Sequence, residues 1–358
     1  MFALAPAALA LATTFFSPGI QVTQTYPGAA EQDVAVAFVG EQPVVVWRDT
    51  ALRAVAWHGE PVELGETTVV RRAAVSNIAI AANEQQAFAV WLENGVVQGV
   101  RIDSGGQAIG HAVPLSNGLV RRVAVGASRD SFLVVWSDAE NSLWSTLVGR
   151  NGELLTESVL IAPGIPPTVD TIDVASDGVD FLVSWDGIQS PFGGILATLV
   201  SAAGVPASLS PLYIATHGIS PAVAWNGRDY LVVWDSEEPG IRGRHISAAA
   251  DPAPSDLKIT AYADHAPRLA WDGAGYVLGT IRETAFHQYG FSFINTIRVS
   301  RDDAAAEQLT QGPVAAGAGQ LAIAARNGHA VLVYPSSGFA YVSDATLSSP
   351  QRLPRRRL

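Results

Sequence analysis

PAVAWNGRDYLVVW, residues 221–234, holds two apolar runs on either side of an Asn226-Gly227 pair and ends on Trp234. Asn-Gly between alternating hydrophobic residues signals a tight hairpin, because the turn needs residues that tolerate positive φ. The second run, Tyr230-Leu231-Val232-Val233-Trp234, is apolar throughout, as in a strand buried on both faces. The stretch therefore reads as a buried β-hairpin.

The same fourteen positions recur without a gap six more times, as Val34–Trp47, Ile78–Trp91, Val123–Trp136, Ile172–Trp185, Pro267–Thr280 and Leu321–Tyr334. The last residues stand at 47, 91, 136, 185, 234, 280 and 334, with spacings of 44, 45, 49, 49, 46 and 54, and five of the seven are Trp. A fixed period of this size marks an array of supersecondary units. The third column is always branched aliphatic, and the fourth is always Ala or Gly: Ala37, Ala81, Gly126, Ala175, Ala224, Ala270 and Ala324. Large and small side chains on alternate faces suit an inner strand that meets its counterparts around an axis. Asp177-Gly178, Asp272-Gly273 and Asn327-Gly328 repeat the turn signal, and each is expected to place both central residues at positive φ.

After each anchor come a polar turn and a third strand: Leu52–Trp57, Val96–Ile102, Leu143–Val148, Ile195–Val200, Ile241–Ile246, Thr296–Val299 and Phe339–Val342. A weaker fourth strand follows. Three clear strands and a ragged fourth describe a propeller blade. The expected fold is all-β, a single seven-bladed β-propeller of four-stranded antiparallel blades over residues 20–350. A β-helix would need a repeat nearer ~20 residues, and a sandwich would not repeat one hairpin seven times. Ile20–Tyr26 alternates like a strand but belongs to no unit. It is expected to supply the outer strand of the last blade, with Gln351–Leu353 as the competing segment.

The unit Pro/Ile-x-Val/Leu-Ala-Trp-Asn/Asp-Gly-x-x-Tyr-Leu-Val-Val-Trp resembles the repeat of exported bacterial β-propeller proteins of uncertain function. The fifth unit carries it in full, the sixth in part, and the others keep its apolar skeleton. The resemblance implies the fold and export, and it implies no activity. Trp-Asp pairs occur at Trp185-Asp186, Trp234-Asp235 and Trp271-Asp272 without the Gly-His that a WD40 blade would add.

Composition narrows the function classes. Charged residues are 15% of 358, and net charge is −11 with pI about 5.0, which argues against a nucleic-acid partner. There is no cysteine, so disulfides, thiolate metal sites and cysteine nucleophiles are excluded. Residues 2–12 resemble the apolar core of a secretory signal, with Ala10-Leu11-Ala12 as a small-x-small cleavage form but no basic n-region. Residues 1–17 thus read as a signal peptide or as an apolar N-terminal segment packed on the domain. Residues 351–358 read as a basic tail around Arg355-Arg356-Arg357. No later stretch reaches the ~18 to 20 apolar residues of a membrane span.

Nucleotide-binding, zincin and nucleophile-elbow motifs are absent, and the seven histidines show no metal spacing. No cofactor and no metal is expected. A site belongs on the face shared by the loops that enter each blade and those joining its second and third strands. The entry loops supply Arg71, Arg72, Arg121, Arg122, Asp170, His217, Asp264 and His265. The second set supplies Asp49, Glu93, Asp138, Asp186, Asp235, Glu237, Glu238, Arg282 and Glu283. The acidic members of this ring read most simply as turn caps. Asp173 and Arg268 replace Ala in the second column of the inner strand, in blades four and six. They read either as a hydrated lining or ion pair, or as a ligand contact. His217 and His265 would need a carboxylate such as Asp264 or Asp170 to act in acid–base chemistry. The anchor Trp residues are expected to pack between blades, and Trp57 and Trp144, outside that column, to be the exposed aromatics.

The expected function is a noncatalytic exported module, a monomer that binds a protein or a glycan, on a rim carrying Asp173, Arg268, His217, His265, Asp264, Asp170, Arg72 and Arg122. The alternative is a propeller-fold glycoside hydrolase or lyase that uses rim carboxylates. A third reading, a repeat fragment cut from a longer chain, turns on whether Ile20–Tyr26 pairs with the last blade.

Overall fold

The computed structural model describes residues 20–21, 33–48, 51–58, 68–72, 75–167, 169–187, 194–261, 264–286, 289–301, 306–315, 321–336 and 339–346. It is all-β, with seven four-stranded antiparallel sheets. Blades one to six span residues 34–71, 76–114, 120–162, 172–215, 219–258 and 264–315, and blade seven spans 322–346 together with Ile20–Gln21. Among the described residues no helix is long and apolar enough to cross a membrane.

Each blade buries the second strand of its repeat unit most completely. Trp47, Trp91 and Trp185 are fully buried, and Trp136 and Trp234 nearly so. The two anchors that lack Trp behave alike, because Thr280 and Tyr334 are also buried. The cores lie mostly between sheets. One cluster joins Leu133 and Val135 of blade three to Val174, Val183 and Trp185 of blade four, and another joins Ala222 and Leu231 to Leu269 and Leu278 across blades five and six. A propeller blade exposes two apolar faces and is stable only when both are covered by neighbours.

The ring closes within blade seven. Ile20 pairs with Val342 and Gln21 with Tyr341, so this short strand supplies the fourth strand beside Phe339–Thr346. The rest of Ile20–Tyr26 and the competing Gln351–Leu353 lie outside the described residues, as do residues 1–17, the Arg355-Arg356-Arg357 run and Asp49. On the other side of the seam Val34, Val36 and Trp47 pack with Val331, Val333 and Val342.

Three expectations need correction. Asn226-Gly227, Asp272-Gly273 and Asp177-Gly178 do not form two-residue turns. The ladders stop at Trp225↔Tyr230, Trp271↔Tyr276 and Ser176↔Phe181, leaving four-residue loops with positive φ at the Gly only. The Asn or Asp side chain holds each loop by accepting two backbone N–H groups, as Asp177 does from Val179 and Asp180, both at 2.8 Å. Asn327-Gly328 alone among the four is the tight form, with both residues at positive φ. Trp57 is buried at 2% exposure rather than exposed, because it packs into the seam between blades one and seven. Blade six is larger than its repeat predicts. Its middle strands run Gly275–Phe286 and Tyr289–Ser300, so Arg282 and Glu283 lie on an extended strand and not in a loop. That hairpin and the ten-residue outer strand Ala306–Ala315 absorb the longer spacing before Tyr334.

Candidate functional site

The expected rim residues separate into several local arrangements. Arg122 spans from blade three to the entry of blade four, where Nε and Nη2 donate to the backbone oxygen and carboxylate of Asp170 at 3.0 and 2.9 Å. Asp170 is 74% exposed, so this contact is a surface staple. Arg72 is exposed and meets no hydrogen-bonding partner among the described residues. Arg71 forks onto Glu93 at 2.7 and 2.9 Å, which holds the Glu93 carboxyl below its ordinary range.

Asp264 is the opposite of Asp170. It is fully buried, takes both arms of the Arg282 guanidinium at 3.0 and 3.1 Å, and accepts from Asn295 at 2.8 Å. Those partners come from the long hairpin of blade six, so the extra length of that blade and its buried charge belong together. Neither Asp264 nor Asp170 serves a histidine. His265 Nδ1 lies 2.7 Å from Asp235, and His217 Nδ1 lies 3.8 Å from Glu237. Asp235 follows the Trp234 anchor, and burial pushes its carboxyl up, opposed by the bond to His265.

Other carboxylates after the anchors cap backbone, as their sequence positions suggested. Asp138 accepts from Glu140 N, Ser142 N and the Trp144 indole. Asp186 accepts from Asp170 N and Thr171 N at its own blade entry and from Ser220 N of the next blade. Each of these acids is thus engaged by its own turn or by the adjoining blade. Among the described residues no group of three or more His, Asp or Glu is arranged to hold a metal.

Asp173 and Arg268 do not form an ion pair with each other. Asp173 sends one carboxylate oxygen to Val223 N of blade five at 2.8 Å and the other to its own Val174 N at 3.0 Å. It therefore satisfies the inner edge of a neighbouring sheet. Burial pushes its carboxyl up against those bonds and the field of Arg268. Among the described residues Arg268 makes one hydrogen bond, from Nη1 to the adjacent Pro267 carbonyl at 2.9 Å.

Two hollows accompany these residues. The first, about 480 Å³, lies in the axial channel at the mouth ringed by the hairpins between first and second strands. Ala37, Ala81, Ala175, Ala224, Ala270 and Ala324 line it, so the fourth column of the repeat is the channel wall. Phe38, Trp225 and Trp271 add aromatic surface, and Trp225 and Trp271 are braced by Tyr230 and Tyr276 at centroid distances of 4.7 and 4.9 Å.

The second, about 330 Å³, is a groove between blades four and five that no part of the repeat pattern announces. Its floor is the outer strand Leu212–Ala215, where Tyr213 is 65% exposed. Blade five supplies Arg242 and Arg244, which share one face of the strand Ile241–Ser247 because side chains alternate. Glu238 pairs with Arg242, and Asp256 with Arg244 at 2.6 Å. His217 and Glu237 complete the upper wall. Of the expected rim residues, His217, Glu237 and Glu238 line this groove. The missed signal is the alternation Ile241-Arg242-Gly243-Arg244, which places two guanidiniums on one side of a strand beside a partner blade.

No protein-family model matches the chain, and no curated protein matches it. Solved structures do. The lectin BP39L of Burkholderia pseudomallei aligns with a TM-score of 0.58 at 13% identity, covering 91% of this chain and 98% of the lectin. The β-propeller domain of Cps50 (Swd1) from Myceliophteria thermophila aligns at 0.57 and 12%, covering 94% and 100%. The Dos1 propeller aligns at 0.53 and 9%, covering 94% and 97%. At these identities the likeness is one of fold.

Proposed function

We propose that this protein is an exported, noncatalytic binding module whose ligand is a glycan seated in the groove between blades four and five. The observation that carries the reading is Tyr213, an aromatic ring left open to solvent over a walled groove and flanked by paired Arg and carboxylate side chains. Sugars present apolar C–H faces that stack on such rings and hydroxyls that both donate and accept. Arg242, Arg244, Glu238 and Asp256 offer both kinds of partner, and their mutual ion pairs limit the ordering cost of binding. The capped rim carboxylates favour binding over hydrolysis, since general acid–base work needs carboxylates free to exchange protons. That a lectin has been built on a similar propeller supports the same reading.

A glycan array followed by calorimetry on the best hit tests the proposal. Tyr213→Ala should weaken binding at least tenfold, and Arg122→Ala on the opposite side of blade four should leave it unchanged. Binding unaffected by Tyr213→Ala and Arg244→Ala would overturn the reading. Export rests on the apolar residues 2–12, and mass spectrometry of the mature N-terminus in the producing cell tests it. A cytoplasmic chain that retains residues 1–17 would refute it.

A further inference from the structure

The channel carries a second, separate constellation. Arg268 stands in the second column of its inner strand and Ala270 in the fourth, so both side chains leave the same face of the strand. Ala270 lines the 480 Å³ cavity, which places Arg268 one strand repeat, ~6.6 Å, further along the axis. Asp173 stands in the same relation to Ala175 on blade four. In the other five blades this column is Ala35, Ala79, Ala124, Ala222 and Ala322, so little bulk stands before the guanidinium.

The hydrogen bonds leave Arg268 under-used. A guanidinium has five N–H donors in a planar fork, and among the described residues a single bond, to Pro267, is made. The one acidic residue in its column, Asp173, has spent its oxygens on Val223 N and Val174 N. A charged fork inside a narrow channel demands a counter-group, and a planar oxyanion fits it in bidentate fashion. Burial presses against the charge of Arg268, with the fields of Asp173 and Asp186 its opposing support.

We propose that the axial channel binds a small apolar molecule ending in an oxyanion. The oxyanion sits on the open fork of Arg268, and the body lies among the channel alanines and against Trp225 and Trp271. The cavity has the size of an ordinary small-molecule pocket, and its lining is mixed, with Ala, Val, Leu, Phe and Trp side chains beside Ser176, Arg326 and Asn327. This site is independent of the groove between blades four and five, so it stands whether or not a glycan binds there.

Calorimetry on the full chain at constant ionic strength separates the parts. Hexanoate should bind saturably and at least tenfold more tightly than hexanol, which lacks the charge, or acetate, which lacks the body. Hexyl phosphate reports whether the head group is a carboxylate or a phosphate, and binding of either supports the site. Arg268→Gln should cost at least tenfold. Arg268→Lys, which keeps the charge and loses the fork, should fall between Arg268→Gln and wild type, with circular dichroism checking that both variants fold. Arg72→Gln, an exposed cation, and Tyr213→Ala, in the other groove, should change nothing. No saturable binding of hexanoate or hexyl phosphate, or binding that survives Arg268→Gln, overturns the proposal.

Discussion

Replacing Gly126 by Ala asks whether the repeat or the local packing governs stability. Six of the seven fourth-column residues are Ala, and Gly in a strand costs about 0.5–1 kcal/mol relative to Ala, so the repeat argues that Gly126→Ala stabilises. The structure argues the reverse. A Cβ on Gly126 would lie 2.5 Å from Val174 Cγ1, 3.1 Å from its Cβ and 3.2 Å from its backbone oxygen. Rotating Val174 removes only the first contact, and a β-branched side chain has few rotamers to use. Overpacking of this kind costs about 1–3 kcal/mol. Set against the backbone gain, the substitution should destabilise by about 1–2 kcal/mol. Urea unfolding at unchanged m measures this, and a double-mutant cycle with Val174→Ala isolates the contact. In the Val174→Ala background Gly126→Ala should cost markedly less, a coupling of about 1 kcal/mol or more. A rise in the midpoint for Gly126→Ala in the wild-type background, or strict additivity in the cycle, would refute the reasoning.

Further outcomes follow from burial and charge. Trp57→Ala should cost about 3–5 kcal/mol by thermal or urea unfolding, since the indole is buried in the seam of blades one and seven; an exposed ring would change stability by less than about 0.5. Asp264→Ala removes a fully buried carboxylate that accepts from Arg282 and Asn295 and should cost about 2–3 kcal/mol, whereas Asp170→Ala, at 74% exposure, should cost under about 1. Burial raises the Asp173 carboxyl in the folded state, so proton uptake there favours folding. Wild type should therefore gain stability relative to Asp173→Asn as pH falls through that raised pKa towards the unfolded value of about 3.9. Asp229 is held low by Arg228, His245 and Asn226, so its contribution is present above about 3.9 and lost as pH falls through its lowered pKa. Unfolding series from pH 7 to the acid limit should show Asp173→Asn and Asp229→Asn diverging from wild type in opposite senses, and parallel curves would contradict both assignments.

What could be read from the sequence was whatever the ring repeats. Columns that recur seven times report a shared environment, so the burial of Trp47 or Trp185 and the wall of small residues at Ala37 or Ala224 are legible in the sequence. Features belonging to one blade were not. Asp170 and Asp264 stand at comparable points of the repeat, but Asp264 opens the inner strand of blade six, where the long hairpin with Arg282 and Asn295 buries it. Trp57 lay outside the anchor column, and its burial depends on the meeting of first and last blades. The groove combines Tyr213 with Arg242 and Arg244 from strands of different sheets, a proximity fixed by the angle between blades rather than by spacing along the chain. The turn types were misread for a local reason. An Asp or Asn before Gly can set both residues at positive φ, or accept two amides and open the loop by two residues, and the flanking sequence is the same in either case.

The pairing of Ile20 with Val342 joins residues about 320 apart, while most other strand contacts are between neighbours in sequence. The entropy of closing so long a loop grows only logarithmically, so the seam is cheap to keep but slow to find. During synthesis six sheets can assemble in order, while Val34, Val36 and Trp47 wait uncovered for Val331 and Val333. The nascent protein is therefore an open arc with one apolar flank, and aggregation competes with its final step. Once shut, the arc has no terminal blade left to fray. Exchange of the amides flanking this seam should consequently report the first opening of the whole molecule rather than a local event.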